Sequence, residues 1–277
     1  LFPYTTLFRS KLHSIYDNPS FTGDRIPKYI EWSKTEGELD CFVDSCIMSE
    51  YDSITDRSIA MLIEPRSIQP EVYSFVKKHW KKFKYVFTHD SILLSSLPNA
   101  KVLLFGGVYG IYNEPKIGKI SIVSSDKEMC DLHKIRTDIC RKLEGNPKVD
   151  CYGTYNGGPF ASTKQIYGEY RYTIVIENYR DDYWFTEKVC NAFANRTIPI
   201  YYGARKITEF FNPRGIIQLD DPYEAIELVD ALDTKEDYLF RLPGIIANYE
   251  LVKRFEVFED WFHTEYMELL LEVASGD

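Results

Sequence analysis

The spacing of apolar residues predicts short strands that alternate with helices in the N-terminal part of the chain. Apolar, β-rich runs at 39–43, 59–63, 85–88 and 102–105 are typical of buried strands. Between the second and third runs, Pro70 opens a stretch whose apolar residues recur at helical spacing. This alternation indicates a parallel sheet covered by helices.

A second series of the same kind follows a break at Gly106-Gly107 and Asn113-Glu114-Pro115. Together the two series predict an α/β fold of two doubly wound, Rossmann-like domains that face a cleft. The elements predicted after the break are strands at 117–123, 149–152, 172–176, 198–202 and 216–219, and helices at 132–143, 187–195, 222–232, 238–249 and 255–273.

We predict an N-terminal domain over 11–113, a C-terminal domain over 114–250 and a closing helix over 251–277. Residues 1–10 read LFPYTTLFRS, which lacks the charged start, long apolar core and cleavage site of a signal peptide. The segment resembles the translation of a sequencing adapter, so we expect residues 1–10 to pack on little. The alternative is a native apolar leader strand.

Composition excludes several classes of protein. The chain carries a net charge of −9 with 44% apolar and 27% charged residues, which is ordinary for a folded protein and unlike a disordered chain or a coiled coil. An acidic balance argues against a nucleic-acid partner. The longest nearly apolar run, Val102 to Tyr112, is about half as long as a membrane span requires, so we predict no span.

The cysteine pattern bears on location. The six cysteines contain no CxxC pair and no zinc spacing, which favours reduced thiols in a cytoplasmic protein. The basic run 77–82, which includes Trp80, is by default a solvated helix face. The alternatives are peripheral contact with anionic lipid at the inner membrane surface and contact with an acidic glycan.

The densest group of polar candidates follows the apolar strand that ends at Ile176. Glu177 and Asn178 come directly after it, and ligands of open α/β sheets bind at the carboxyl ends of strands. Thr186 is a plausible N-cap for a helix with Glu187 and Lys188 in its first turn. A cation there opposes the helix dipole unless an anion such as phosphate binds at the same place. The alternative is an exposed lysine that tolerates the position.

This stretch resembles the donor-binding motif of the family 10 glycosyltransferases, the α-1,3/1,4-fucosyltransferases. In that motif an aromatic-rich strand is followed by Glu-Asn, and a short loop then leads to Thr-Glu-Lys. A helix that contains Asn-Ala and a strand with the pattern Pro-x-x-x-Gly come next. The matching elements here are Tyr172, Glu177-Asn178, Thr186-Glu187-Lys188, Asn191-Ala192 and Pro199 to Gly203. Weaker matches extend the resemblance over about 115–235 and include His133-Lys-Ile-Arg136, Val149 to Gly153 and, further upstream, Ile63-Glu64-Pro65.

The resemblance implies a GT-B fold with an acceptor-side N-terminal domain and a C-terminal domain for a GDP-sugar. It implies that Arg136 and Lys188 bind the donor pyrophosphate and that Glu187 holds the ribose or the sugar. Glu64 falls at the position of the family's candidate general base. The remaining donor-binding candidates are Glu177, Asn178, Tyr183, Trp184 and Thr186. The sequence departs from the family at Trp184, which stands where the family usually has tyrosine, while Tyr183 lies one residue earlier.

The implied reaction is inverting transfer of fucose from GDP-fucose to a hydroxyl of a glycan acceptor, an oligosaccharide or a lipopolysaccharide-type molecule. We expect no metal or other cofactor, because Arg136, Lys188 and a helix N-terminus can neutralise the leaving diphosphate. Two alternatives stay open: another nucleotide-sugar donor on the same fold, and a non-catalytic remnant that binds glycan or nucleotide. A Rossmann oxidoreductase is poorly supported, since no G-x-G-x-x-G follows a predicted strand.

Overall fold

The computed structural model describes residues 7–15, 25–232 and 235–276. The chain forms two compact units. Unit 1 takes in the residues up to Phe105, then Asp181–Tyr183, and the segment from Val257 onward. Unit 2 takes in Gly106–Arg180 and Trp184–Glu256.

Unit 1 is built on a parallel sheet with the strand order β2-β1-β3-β4-β5-β6. The chain turns outward from β1 to β2 and then returns to β3, so the strand order reverses between β1 and β3. Its elements in the first part of the chain are β1 (Phe8–His13), β2 (Ile30–Ser33), β3 (Leu39–Val43), α1 (Cys46–Ser49), β4 (Ser58–Leu62), α2 (Pro70–His79), β5 (Tyr85–Thr88), α3 (Ser91–Ser96) and β6 (Ala100–Val102).

The first strand corrects an expectation from the sequence. Phe8 and Ser10 are buried, and β1 pairs with β2 on one side and β3 on the other. The expectation that residues 1–10 pack on little is therefore wrong for residues 8–10, which lie inside the sheet; residues 1–6 are outside the described residues. The pattern also placed the last strand of unit 1 at 102–105, two residues too late.

Unit 2 contains a second parallel sheet, with the order β11-β10-β9-β7-β8. The order reverses between β7 and β9, so the carboxyl ends of these two strands form the position where doubly wound sheets bind ligands. The elements are β7 (Ile117–Val123), α4 (Asp131–Leu143), β8 (Val149–Tyr152), β9 (Tyr170–Ile176), α5 (Glu187–Ala194), β10 (Ile198–Tyr202), β11 (Ile217–Gln218), α6 (Glu224–Ala231) and α7 (Glu236–Val252). The last helix of the chain, α8 (Phe258–Ser275), groups with unit 1.

The boundary between the units lies at Phe105/Gly106, upstream of the 113/114 boundary given by the Pro/Gly break. Two asparagines of unit 2 explain the difference. Asn191 Oδ1 accepts a hydrogen bond from the backbone of Tyr109, and Asn195 Oδ1 accepts one from Tyr112, each at 2.8 Å. The segment predicted as a linker is therefore bound to α5 and to the residue that follows it.

The aromatic residues fill the cores to a large extent. Tyr73 in unit 1 and Tyr172 and Tyr201 in unit 2 are fully buried, and Phe193 packs on Phe211 with a ring separation of 4.5 Å. All six cysteines are free thiols. Within the described residues, no helix combines the length and apolar character needed to cross a bilayer. The predicted α/β class with two parallel-sheet domains is confirmed.

Candidate functional site

Glu177 organises the loop between β9 and α5. Its side chain is 0% exposed, and its two oxygens accept hydrogen bonds from the backbone N–H of Thr186 at 3.0 Å and from the Thr186 hydroxyl at 2.8 Å. Burial raises the pKa of Glu177, while Lys188 and the bonds from Thr186 act in the opposite direction. Glu177 therefore fixes where α5 begins.

The start of α5 has the predicted cap, since the Thr186 side chain accepts a hydrogen bond from the backbone N–H of Lys188. Lys188 Nζ lies 3.1 Å from Glu187 Oε1 and 3.8 Å from Glu177 Oε2, and it donates to the Thr186 hydroxyl at 3.2 Å. Burial lowers the pKa of Lys188, but the two carboxylates raise it by more. The side chain of Lys188 is 26% exposed, and its ammonium is fixed by Glu187 and Thr186. Lys188 is therefore not the exposed lysine that merely tolerates the first turn of the helix.

Arg136 lies at the same edge of the sheet. It projects from α4 and its Nη1 donates to the carbonyl of Ile176, the last residue of β9, at 2.9 Å. The residue is 7% exposed, and it makes no ion pair with any carboxylate of the described residues. Its buried Nε has no hydrogen-bond partner there either. A buried cation without a counter-charge is costly, so this arrangement suits an anionic ligand.

His133 occupies the preceding turn of α4 and was not singled out as a site residue from the sequence. It is 5% exposed, and its Nδ1 is buried without a partner among the described residues. Burial first, and then the charges of Arg136, Lys188 and Lys127, lower the pKa of His133 to about 4. His133, Arg136 and Lys188 therefore share one positive environment beside the β7/β9 reversal.

Asn178 and the two aromatics beyond it have different surroundings. The indole N–H of Trp184 donates to Asn178 Oδ1 at 2.9 Å, and Trp184 is only 3% exposed. Its buried ring offers little surface to a ligand, so Trp184 holds Asn178 in place. Tyr183 is partly exposed and belongs to unit 1.

Glu64 follows β4 in unit 1, and its backbone is held by a residue that sequence reasoning missed. The buried Asp44, directly after β3, accepts hydrogen bonds at Oδ1 from the backbone of Ile63 at 2.8 Å and of Glu64 at 3.2 Å. Burial raises the pKa of Asp44 to about 7. The hydrogen bonds from the backbone of Ile63 and Glu64 lower this pKa, and the negative charge of Glu64 raises it. A polar residue directly after an apolar strand was the available signal for Asp44, as it was for Glu177 and Asn178.

Two further polar residues of unit 1 have structural partners. His89 Nε2 lies 3.2 Å from the hydroxyl of Tyr73, which donates to the carbonyl of Glu64 at 2.7 Å. Asp90 caps α3 and holds Arg66 through two hydrogen bonds of 2.8 Å. These contacts stabilise the loop that carries Glu64.

The adjacent aspartate pairs are engaged within the protein. Asp181 accepts backbone hydrogen bonds from Ser91 at 2.9 Å and from Asp182 at 2.7 Å, and Asp220 Oδ1 accepts from Arg180 at 3.3 Å. No cluster of three or more His, Cys, Asp or Glu side chains suited to a metal ion occurs in the part of the chain that the structure describes.

The raised pKa of Asp44 predicts how stability depends on pH. Because the folded-state pKa lies above the ordinary value, the protonated carboxyl stabilises the fold at low pH, and this contribution is lost as the pH rises through about 7. Between pH 5 and 8 the wild type should therefore lose about 2–3 kcal/mol through this group. Asp44→Asn should remove that loss, since asparagine does not titrate and tolerates the positive φ of 49°.

The measurement is urea unfolding of wild type and Asp44→Asn at pH 5 and pH 8, with the exposed Asp52→Asn as control. The difference in free energy of unfolding between Asp44→Asn and wild type should change with pH, while that of Asp52→Asn should stay constant. Equal pH dependence in wild type and Asp44→Asn would show that Asp44 does not carry the effect.

Gly203 predicts a second stability effect. A Cβ at this position would overlap the hydroxyl of Tyr201 and lie 2.6 Å from Glu177 Cγ, and both side chains are fully buried. Neither can move freely, because Tyr201 accepts a hydrogen bond from Ala204 and Glu177 holds Thr186. Gly203→Ala should therefore lower the free energy of unfolding by roughly 3 kcal/mol.

Gly168→Ala is the matched control. The atom nearest to a Cβ at that position would be Lys164 Cγ at 3.4 Å, which is an ordinary contact distance. Thermal or urea unfolding should separate the two variants clearly. If Gly203→Ala and Gly168→Ala were equally stable, the packing argument for this end of β10 would fail.

Comparison with known proteins gives the family of this region. Residues 117–239 match the model described as "Glycosyltransferase family 10 (fucosyltransferase) C-term". The alpha-(1,3)-fucosyltransferase FucT of Helicobacter pylori is 32% identical over 79 residues, which are 27% of this chain and 16% of that protein. A putative fucosyltransferase, R654, of Acanthamoeba polyphaga mimivirus is 23% identical over 199 residues, which are 71% of this chain and 30% of that protein. The chain thus spans less than a third of the length of either relative.

Solved structures share the fold. A crystal structure of an alpha1,3-fucosyltransferase aligns over 98% of this chain and 90% of its own, with a TM-score of 0.62 at 14% identity. A structure of an alpha1,3-fucosyltransferase with GDP-fucose aligns over 92% and 90%, with a TM-score of 0.53 at 14% identity. The GtfA/B complex aligns over 85% and 57%, with a TM-score of 0.53 at 11% identity. The fold is accordingly of the GT-B type, and residues 117–239, which contain Arg136, Glu177 and Lys188, match the glycosyltransferase family 10 model.

Proposed function

We propose that the protein transfers fucose from GDP-fucose to a hydroxyl of a glycan acceptor, with inversion at the anomeric carbon. The observation that carries this proposal is the buried Arg136, which has no carboxylate counter-ion among the described residues and lies in the family 10 domain. Two of the similar solved structures are titled as alpha1,3-fucosyltransferases with GDP and with GDP-fucose, which supports a diphosphate as the anion.

In unit 2, the donor diphosphate is bound by Arg136, Lys188 and the first turn of α5. Thr186 and Glu177 fix the start of that helix. Glu187 keeps the Lys188 ammonium in place and holds the ribose or the sugar. Asn178, held by Trp184, completes the donor pocket. Positive charge of this kind stabilises the developing charge of a leaving phosphate.

In the transfer step, the acceptor oxygen forms a bond to the anomeric carbon while the bond from that carbon to the phosphate oxygen breaks. The bonding electron pair leaves with GDP, and Glu64 of unit 1 accepts the proton of the acceptor hydroxyl. General-base assistance of this kind contributes about 10²–10⁴-fold. Because Arg136 and Lys188 neutralise the leaving group, we propose that the reaction requires no metal ion.

The acceptor is a glycan, either an oligosaccharide or a lipopolysaccharide-type molecule. The reaction takes place in the cytoplasm or at the inner membrane surface. For the latter, the exposed lysines 77, 78, 81 and 82 beside Trp80 offer a basic face for anionic lipid.

The experiment is nucleotide release from a panel of GDP- and UDP-sugars, with mixed glycan acceptors and excess chelator. We expect release from GDP-fucose alone, unchanged by the chelator and abolished in Arg136→Ala. Arg214→Ala is the control, since Arg214 is an exposed arginine of the same unit whose guanidinium donates to the carbonyl of Phe240. Activity that disappears with chelator and returns only with Mn²⁺ or Mg²⁺ would overturn the metal-free mechanism.

The same panel separates the alternatives. Release from a different nucleotide-sugar would retain the family and replace fucose as the donor sugar, which is the alternative raised by Trp184. Absence of release together with GDP binding would favour a non-catalytic binding protein. Absence of both would overturn the proposed function.

A further inference from the structure

His133 is a buried polar group that none of the proposed roles uses. It lies three residues before Arg136 on α4, so both side chains are on the same face of the helix. His133 is 5% exposed and its Nδ1 has no hydrogen-bond partner in the part of the chain that the structure describes. The buried Nε of Arg136 has none there either. Buried polar atoms are nearly always satisfied in folded proteins, so two unsatisfied atoms on neighbouring turns indicate a position where a ligand can bind.

The charged groups around His133 are mostly cationic. Arg136 faces it from α4, Lys127 from the segment before α4, and Lys188 from α5. Glu177 and Glu187 lie beside Lys188 and are engaged with it and with Thr186. Burial and the three cations keep the imidazole neutral. A bound diphosphate would bring two negative charges into the same environment and reverse the electrostatic effect.

We propose that His133 is a third basic ligand of the donor diphosphate, which takes up one proton from solvent when the donor binds. The lone pair of the imidazole accepts the proton, and the resulting imidazolium donates a hydrogen bond to a phosphate oxygen. When GDP leaves, the proton returns to solvent. The inference rests on the proposed function, since it assigns a role to His133 in that same donor site.

The test is calorimetric titration of the full chain with GDP-fucose, without acceptor, at pH 6.5 in two buffers of different ionisation enthalpy. GDP-fucose is suited to this because a diphosphate diester does not titrate near neutral pH. The wild type should take up roughly 0.5–1 proton for each GDP-fucose bound, and its affinity should fall by about tenfold between pH 6 and pH 8. His133→Gln should bind at least several-fold more weakly at pH 6, without proton uptake and with little dependence on pH.

His79→Gln is the control, because His79 is the last residue of α2 in unit 1. This substitution should leave both proton uptake and affinity unchanged. A measurement on the wild type alone avoids any folding defect of His133→Gln. The pKa of His133, followed by NMR of its ring protons, should rise from about 4 to roughly 7 when GDP-fucose binds.

Donor binding without proton uptake, or an unchanged pKa of His133 in the complex, would overturn the inference and leave the proposed function intact. Failure of the wild type to bind either GDP or GDP-fucose would instead overturn the proposed function, and the inference with it.

Discussion

Lys188→Met is expected to lower kcat/KM for the donor by about 10²–10³-fold, the usual effect of removing one charged contact from a site where negative charge develops. Methionine keeps an apolar stem of similar length, so the change removes the ammonium with little loss of packing. The loss should lie at the upper end of this range, because Glu187 and the fully buried Glu177 lose their common cation.

Steady-state kinetics with GDP-fucose and an active glycan acceptor measure this effect, and thermal unfolding shows whether the variant stays folded. Lys206→Met is the matched control, since Lys206 is a partly exposed lysine of the same unit whose ammonium is 3.9 Å from Glu209. A folded Lys188→Met that retained kcat/KM within threefold of wild type would exclude Lys188 from leaving-group stabilisation.

The sequence predicted the local structure around the start of α5 well, because the residues that form it are close together along the chain. A single strand–loop–helix segment carries Glu177, Thr186 and Lys188, and the capping preference of threonine placed the start of α5 correctly. The opposition between a first-turn lysine and the helix dipole also indicated an anion site. These are local signals, which a sequence pattern retains.

Long-range packing accounts for what the sequence did not predict. The strand β1 lies between β2 and β3, and nothing local in Phe8 to His13 shows that two neighbours will pair with it. The hydrogen bonds from Asn191 and Asn195 to the 109–112 segment span more than 80 residues, so the break in the pattern gave the unit boundary too far downstream.

Charge pairing was equally hidden from the sequence. The sequence indicates Glu177 as a donor-binding candidate, but does not show that its side chain is fully buried and positions Thr186 through two hydrogen bonds. Trp184 reads as an aromatic that could flank the donor, but its ring is buried and its N–H holds Asn178. The absence of a carboxylate partner for Arg136 within the described residues depends on every neighbour in space, and no motif contains that information.

The contacts of Asp44 give Glu64 a fixed backbone, and this leads to the second large effect. Glu64→Gln is expected to lower kcat by about 10²–10⁴-fold, because glutamine keeps the size of the side chain but cannot accept the acceptor proton. Asp44 and Tyr73 bind the backbone N–H and C=O of residue 64, so the substitution should leave that loop in place. Affinity for GDP-fucose should stay within threefold of wild type, since the donor contacts are assigned to the family 10 domain.

The decisive readout is the pH dependence of kcat. In the wild type, kcat should fall at low pH as the base becomes protonated, and this fall should be absent from the residual activity of Glu64→Gln. Glu71→Gln is the control, an exposed glutamate in the first turn of α2 whose loss should change neither kcat nor its pH profile. If Glu64→Gln kept its full rate, or lost rate while keeping the same acidic fall, the base would have to be another group. Asp44 would then be the first to test, because burial raises its pKa to about 7 and it lies against the same loop.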